Sequence, residues 1–289
     1  HLSIRRQRQM CIRDSSNLCS WRFLYNTQFA VVDNFLVFKF WAGDQLAYMM
    51  PVGTGDLKAI LWELIEDARK ENQPFCMLGV CSNMRADLEA ILPEQFTFTE
   101  DRDYADYIYL RSDLSTLKGK KFQAKRNHTN RFKNTYPDYE YTPITPDRIQ
   151  ECLDLEAEWC KVNNCDQQEG TGNERRALIY ALHNFEALGL TGGILHVNGK
   201  IVAFTFGMPI NHETFGVHVE KADTSIEGAY AMINYEFANR IPEQYIYINR
   251  EEDLGIEGLR KAKLSYQPAT ILEKYMACLK EHPMNMVKW

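Results

Sequence analysis

The feature that most constrains this chain is an Asn198-Gly199 pair set between two apolar runs, Gly193–Val197 and Ile201–Met208. Asn-Gly readily takes the two positive φ values of a type I′ turn, so the pair predicts a β-hairpin. Its neighbours set the fold class. Upstream, Thr145-Pro146 offers an N-cap followed by proline at the first helical position, and the helix runs to about Val162. A second helix spans about Asn173 to Leu188 and stops at Gly189. Downstream come strand Thr214–Glu220, helix Gly228–Asn239, strand Tyr245–Ile248, a short helix near Ile256–Leu264 and strand Thr270–Tyr275. With a strand near Tyr139, the order is β-α-α-β-β-β-α-β-α-β.

Earlier residues repeat part of that order. Phe29–Val32 and Phe35–Phe40 flank an Asp33-Asn34 turn, and Leu46–Val52 is a third strand. From Asp56 to Lys70 the residues Leu57, Ile60, Leu61, Leu64 and Ile65 share one helical face. Strand Phe75–Val80, helix Asn83–Ile91 and strands Phe96–Thr99 and Tyr107–Leu110 follow. This is the second order without its first strand and two helices. Both orders resemble the mixed sheet of the acetyltransferase (GNAT) fold. The expectation is an α/β chain with two GNAT-like acyltransferase units in tandem, the first incomplete. It divides into a doubtful segment at 1–15, a first unit at 16–115, a basic connecting helix at 116–137 and a second unit at 138–289. The alternative is one large α/β domain. The opening string HLSIRRQRQMCIRD has no strong periodicity and is set aside from the fold argument. A missing N-terminus would account for the first unit's gap.

Composition bounds the function. The chain has 289 residues, 45% hydrophobic and 12% aromatic, enough for a sizeable core. A net charge of -6 argues against wholesale binding to nucleic acid or anionic lipid. Eight cysteines occur without a C-x-x-C pair, so no metal site is expected. Free thiols in a reducing cytosol are the expectation, hence a cytoplasmic location. The most apolar stretch, Phe29 to Ala42, is broken by Asp33, Asn34 and Lys39. It falls short of the roughly 20 residues of a spanning helix, so no transmembrane segment is expected.

Three features carry chemistry. Lys118 to Lys133 reads KGKKFQAKRNHTNRFK, with seven Lys or Arg and no acid. On a helix, Lys121, Lys125 and His128 share a face, and like charges at that spacing repel. They point to an anionic ligand such as phosphate, or to a solvated linker helix paired with acids elsewhere. Next, Glu156 falls within an apolar helical stripe of Ile149, Cys152, Leu153, Trp159 and Cys160. A carboxylate there needs a partner: a substrate ammonium, a proton to accept, or a structural cation. Last, Asn249 to Pro268 reads NREEDLGIEGLRKAKLSYQP and follows a strand. Loops at strand ends bind ligands in open α/β sheets. This one offers cations for an anion and carboxylates for an amine.

The stretches SNLCSWRFLYNTQFA, LKGKKFQAKRNHTNRFKNTYPDYEY, EKADTSIEGAYAMINYEF and NREEDLGIEGLRKAKLSYQP resemble the C-terminal domain family of phosphatidylglycerol lysyltransferases. The resemblance implies a tandem GNAT-like fold. It also implies transfer of an aminoacyl group from charged tRNA, which the membrane-linked relatives move onto phosphatidylglycerol. Their membrane-embedded half has no counterpart in these residues, which leaves the acceptor open. Ordinary acetyltransferases hold coenzyme A pyrophosphate on a glycine-rich turn. Here Thr224 to Tyr230 carries one glycine, Gly228, and a carboxylate, Glu227. Coenzyme A is therefore the alternative donor, and aminoacyl-tRNA the leading one.

On this reading Arg250, Arg260 and Lys263 bind phosphate or the oxyanion. Glu156, Glu220, Glu251 and Asp253 grip the amine or accept its proton. Lys121, Lys125, Arg126 and Asn127 contact the tRNA acceptor end or an anionic phospholipid headgroup. Asn234, Asn249 and Tyr266 hydrogen-bond the substrate. A third reading is a non-catalytic module that binds RNA or anionic lipid.

Overall fold

The computed structural model describes residues 15–163 and 169–280. The opening string 1–14, with Cys11, and Cys165 lie outside the described residues. Two short helices come first, α1 (Ser15–Ser20) and α2 (Arg22–Tyr25). The described residues form two compact units: Trp21–Ala105 with residues 272–280, and Asp106–Ile271 with residues 15–20.

In the first unit, β1 (Gln28–Val32) and β2 (Phe35–Ala42) form the expected hairpin, with Asp33 and Asn34 both at positive φ. Then follow β3 (Gln45–Tyr48), β4 (Val52–Gly53), α3 (Leu57–Lys70), β5 (Cys76–Val80), α4 (Ser82–Ile91) and β6 (Phe96–Glu100). The Asp56 side chain caps α3 by accepting from the Ala59 N–H at 3.1 Å. The helix buries Ile60, Leu61, Leu64 and Ile65 against the sheet's Leu46, Tyr48 and Met77.

The second unit begins with β7 (Asp106–Leu110), α5 (Arg111–Thr116) and α6 (Gln123–Thr135). It continues through β8 (Glu140–Pro143), α7 (Ile149–Asn163), α8 (Glu169–His183), β9 (Thr191–Val197), β10 (Lys200–Pro209) and β11 (Thr214–Ala222). It ends with α9 (Ala229–Arg240), β12 (Tyr247–Asn249), α10 (Glu257–Leu264) and β13 (Thr270–Leu272). Asn198 and Gly199 both have positive φ, as the hairpin between β9 and β10 requires. Helices α7 and α8 cover one sheet face through Cys152, Leu155, Leu178 and Leu182 on Ile194, Phe204 and Phe206. Helices α6 and α9 cover the other through Phe132, Met232 and Ile233 on Leu195 and Ala203.

Both units have the GNAT-like mixed sheet, but each sheet is completed by a strand from an unexpected part of the chain. The second sheet runs β13-β7-β12-β11-β10-β9-β8, so Tyr107–Leu110 belongs here and not to the first unit. The first sheet runs β1-β2-β3-β5-β14-β6, where β14 (Tyr275–Leu279) is the last described strand. The single strand expected over Thr270–Tyr275 is therefore two, β13 and β14, in different sheets. Periodicity marks a strand but not its partner, which is why the boundaries at 115 and 138 move. The basic helix is likewise no connector. Phe132 and Thr129 of α6 are buried, and Phe132 packs on Ala229 and Met232 of α9.

Cys76 and Cys278 face each other across β5 and β14 and are joined by a disulfide, Cα to Cα 4.1 Å. This corrects the expectation of free thiols throughout; Cys19 and Cys152 are free. Among the described residues no helix is long and apolar enough to cross a membrane, and no group of His, Cys, Asp or Glu is arranged to hold a metal.

Candidate functional site

Strands β11 and β12 pair in parallel over only three residues, Thr214↔Tyr247, Phe215↔Ile248 and Gly216↔Asn249. Beyond that they part. The Arg250 N–H donates to Tyr107 O on β7, while β11 continues to Ala222 beside β10. A bulge marks the place: Phe206 faces Val219 and Gly207 faces Val217, leaving His218 as the extra residue. Gly207 allows it, because a Cβ there would lie 1.8 Å from Gly216 O. The opening lies at the carboxyl ends of two parallel strands, where open α/β sheets bind ligands.

Glu220 and Lys221, adjacent on β11, point to opposite sheet faces. On the α9 face, Arg250 Nε and Nη2 donate to Glu220 Oε2 at 2.9 and 2.5 Å. Asn234 Nδ2 donates to Glu220 Oε1 at 3.2 Å. Arg250 lies against the rings of Tyr266 and Tyr109, 4.7 and 5.6 Å from their centroids. Lys125 Nζ of α6 lies 4.0 Å from the Tyr266 centroid. Burial, and after it the nearby Arg250 charge, pull the Lys125 ammonium down to about 8. Arg250 Nη1 and Asn234 Oδ1 are buried and have no hydrogen-bond partner among the described residues.

On the α7 face, Lys221 Nζ lies 2.9 Å from Glu174 Oε1, 3.9 Å from Glu156 Oε2 and 3.5 Å from the Trp159 ring centroid. Trp159 Nε1 donates to Tyr230 Oη at 3.1 Å. Glu156 is only 2% exposed, and among the described residues its Oε2 accepts no hydrogen bond. Burial raises its pKa, with the Lys221 charge opposing.

The loop after β12 is built differently from expectation. Lys263 is buried and spends its ammonium on the carbonyls of Arg250, Glu251 and Glu252, at 2.6, 3.2 and 2.5 Å. An ammonium has three donors, so Lys263 holds the loop and is not left to bind a substrate anion. Asp253 is fully buried. It accepts from Arg260 Nε and Nη2 at 2.8 and 2.7 Å, from Tyr107 Oη at 2.5 Å and from the Gly255 N–H at 2.9 Å. Arg260 above all holds its carboxyl well below the usual range. Asp253 and Arg260 thus fasten α10 to β7 and leave the amine-gripping and phosphate roles. Asn249 is fixed by Asp106 and by the Glu251 N–H, and Glu251 bonds Asn17 and His218.

The basic helix is also partly spent. Lys121 pairs with Asp113 at 2.8 Å, and Arg126 caps the Leu117 and Gly119 carbonyls. Asn127 is exposed. The opening therefore gathers Glu220, Asn234, Arg250, Lys125 and Tyr266 on one face and Glu156 on the other. Sequence reasoning missed Lys221, Glu174, Trp159, Tyr230 and Tyr109 as members. Trp159 had a signal, since it stands three residues from Glu156 on one helix.

The turn before α9 is closed. Gly228 has φ +84, and a Cβ there would meet His128 O at 3.1 Å and Phe132 Cβ at 3.4 Å. The neighbouring Glu227 pairs with Arg131. Residues 5–278 match the family described as phosphatidylglycerol lysyltransferase, C-terminal. The chain belongs to that family. A conserved protein of unknown function from Bacteroides thetaiotaomicron has a crystal structure 92% identical in sequence. It matches with TM-score 0.90 over 92% of this chain and 90% of its own. A domain from Agrobacterium fabrum, assigned as the C-terminal domain of a lysylphosphatidylglycerol synthetase, is 14% identical with TM-score 0.69. That match covers 92% of this chain and 87% of the other, and it shows the fold shared across the family. An uncharacterised protein of Mycoplasmoides gallisepticum is 25% identical over 177 residues, 59% of this chain and 55% of that relative's length. This family member therefore has an acyltransferase-type fold, with the polar clusters at the point where β11 and β12 separate.

Proposed function

We propose that the opening between β11 and β12 transfers an aminoacyl group from aminoacyl-tRNA to an amine or hydroxyl acceptor, on a lipid headgroup or a small molecule. The observation that carries this reading is Glu156, a buried carboxylate whose Oε2 accepts no hydrogen bond among the described residues and has the Lys221 ammonium only at 3.9 Å. The ammonium of an aminoacyl ester supplies the missing donor. An aminoacyl ester is already activated, so positioning provides much of the rate, and the carbonyl's developing negative charge forms in the field of Arg250. The acceptor's oxygen or nitrogen bonds to the ester carbon, the bond to the ribose oxygen breaks, and that oxygen takes up the proton the acceptor loses.

The closed turn at Gly228 and the Glu227 carboxylate support aminoacyl-tRNA over coenzyme A as donor. On this reading the tRNA acceptor end approaches α6 and the reaction runs in the cytoplasm, with peripheral contact to anionic phospholipid where the acceptor is a lipid. The test is loss of the ester from a panel of labelled aminoacyl-tRNAs, with the label followed into amine, hydroxyl and lipid acceptors. Transfer that falls about 100-fold in Glu156→Gln supports the assignment. Binding without turnover for every donor would instead make this an RNA-binding or lipid-binding module.

A further inference from the structure

The α9 face of the opening holds an imbalance of charge. Its carboxylate, Glu220, is bound at two points by Arg250 and at a third by Asn234. That leaves Lys125, which is half-buried and has no carboxylate within ion-pair distance among the described residues. It also leaves Arg250 Nη1, which is buried and unbonded among the described residues. Both cations rest on one ring, with Lys125 Nζ 4.0 Å and Arg250 Cζ 4.7 Å from the Tyr266 centroid. Two like charges brought together repel, and Glu220 balances only one of them, so a further anion offsets the rest.

We infer that Lys125 and Arg250, with Tyr266 as the floor between them, form a binding subsite for the phosphate group of a phosphate ester. Arg250 offers a planar N–H edge and Lys125 a mobile point charge, a pairing suited to tetrahedral oxyanions. The Tyr266 hydroxyl adds a third donor. Burial pushes its pKa up to about 12, so it keeps its proton at neutral pH. The subsite names the second substrate group of the acyl-transfer site and rests on that reading only for which substrate bears the phosphate. A phospholipid headgroup and a tRNA acceptor end both present this chemistry.

The experiment is calorimetric titration of the full chain with inorganic phosphate, glycerophosphoglycerol and cytidine monophosphate. It is run on wild type, Lys125→Gln, Lys125→Arg and Lys121→Gln, each first checked for native circular dichroism. The inference predicts binding by wild type, weakened about tenfold or more by Lys125→Gln, retained by Lys125→Arg and unchanged by Lys121→Gln. Tighter binding of glycerophosphoglycerol assigns the subsite to a lipid headgroup, and tighter binding of cytidine monophosphate to the tRNA end. No binding of any of the three, or equal binding by a folded Lys125→Gln, overturns it. A non-hydrolysable aminoacyl-adenosine amide is titrated in parallel. If it binds and the phosphates do not, the subsite falls and acyl transfer stands; the reverse result sinks acyl transfer and leaves the subsite.

Discussion

Arg250 and Glu220 meet at two points, 2.9 and 2.5 Å, across the place where β11 and β12 stop pairing. The ion pair spans the opening between the two strands, and both side chains are largely buried. Removing one partner strands the other charge. Arg250→Ala is expected to cost about 3 kcal/mol of stability, read by urea unfolding. The double variant Arg250→Met with Glu220→Leu should recover much of that loss without recovering transfer. Recovery of both would reduce the pair to scaffolding.

Lys263 is a loop clamp. Lys263→Met removes the donor that the three carbonyls of the 250–252 turn share, and the Glu251 carbonyl keeps the Tyr107 N–H. The expected loss is about 2–3 kcal/mol of stability. Hydrogen exchange should show faster opening of the backbone at 249–253. A variant with native stability and native exchange contradicts the clamp.

Asp253 governs the acid limb. Arg260 and two further hydrogen bonds depress its folded pKa, so the stability it contributes is fully present above the ordinary aspartate value of about 3.9. That contribution is lost as pH falls toward the depressed value. Unfolding measured between about pH 5 and pH 2 should have a shallower slope in Asp253→Asn than in wild type. The variant should also be about 3 kcal/mol less stable at pH 7.

Glu156 has the opposite sign. Burial raises its folded pKa, so between the free value and the raised one the native state holds more protons than the unfolded chain. Its contribution is present at low pH and lost as pH rises through the folded value. Glu156→Gln should therefore be no less stable than wild type at pH 7, yet about 100-fold slower in transfer. A large loss of stability at pH 7 would show instead that Glu156 is an ordinary structural partner of Lys221.

Local chemistry was legible in the residues, and partner choice was not. Asp33-Asn34 and Asn198-Gly199 announced their hairpins because a two-residue turn needs its own positive φ values. Glu156 stood out because a carboxylate in an apolar stripe is visible from helical period alone. The exchange of β7 and β14 between sheets was not visible, since their pairing depends on residues more than a hundred positions away. The loss of Asp253, Arg260 and Lys263 to scaffolding was hidden for a similar reason. Their contacts form only once the chain reverses through Glu251, Leu254 and Gly255, all at positive φ. Lys221 lay outside the expected strand Thr214–Glu220, and its burial beside Glu174 depends on α7 and α8, which precede it by some forty residues or more.

The central claim is that the opening takes an aminoacyl ester. The most direct test is titration of the wild-type chain and Glu156→Gln with a non-hydrolysable aminoacyl-adenosine amide, with coenzyme A as comparison. The account predicts that the amide binds wild type, that binding weakens about tenfold or more in Glu156→Gln, and that coenzyme A does not bind. Binding of coenzyme A alone would contradict it and make this an ordinary acyltransferase with an unusual turn at Gly228.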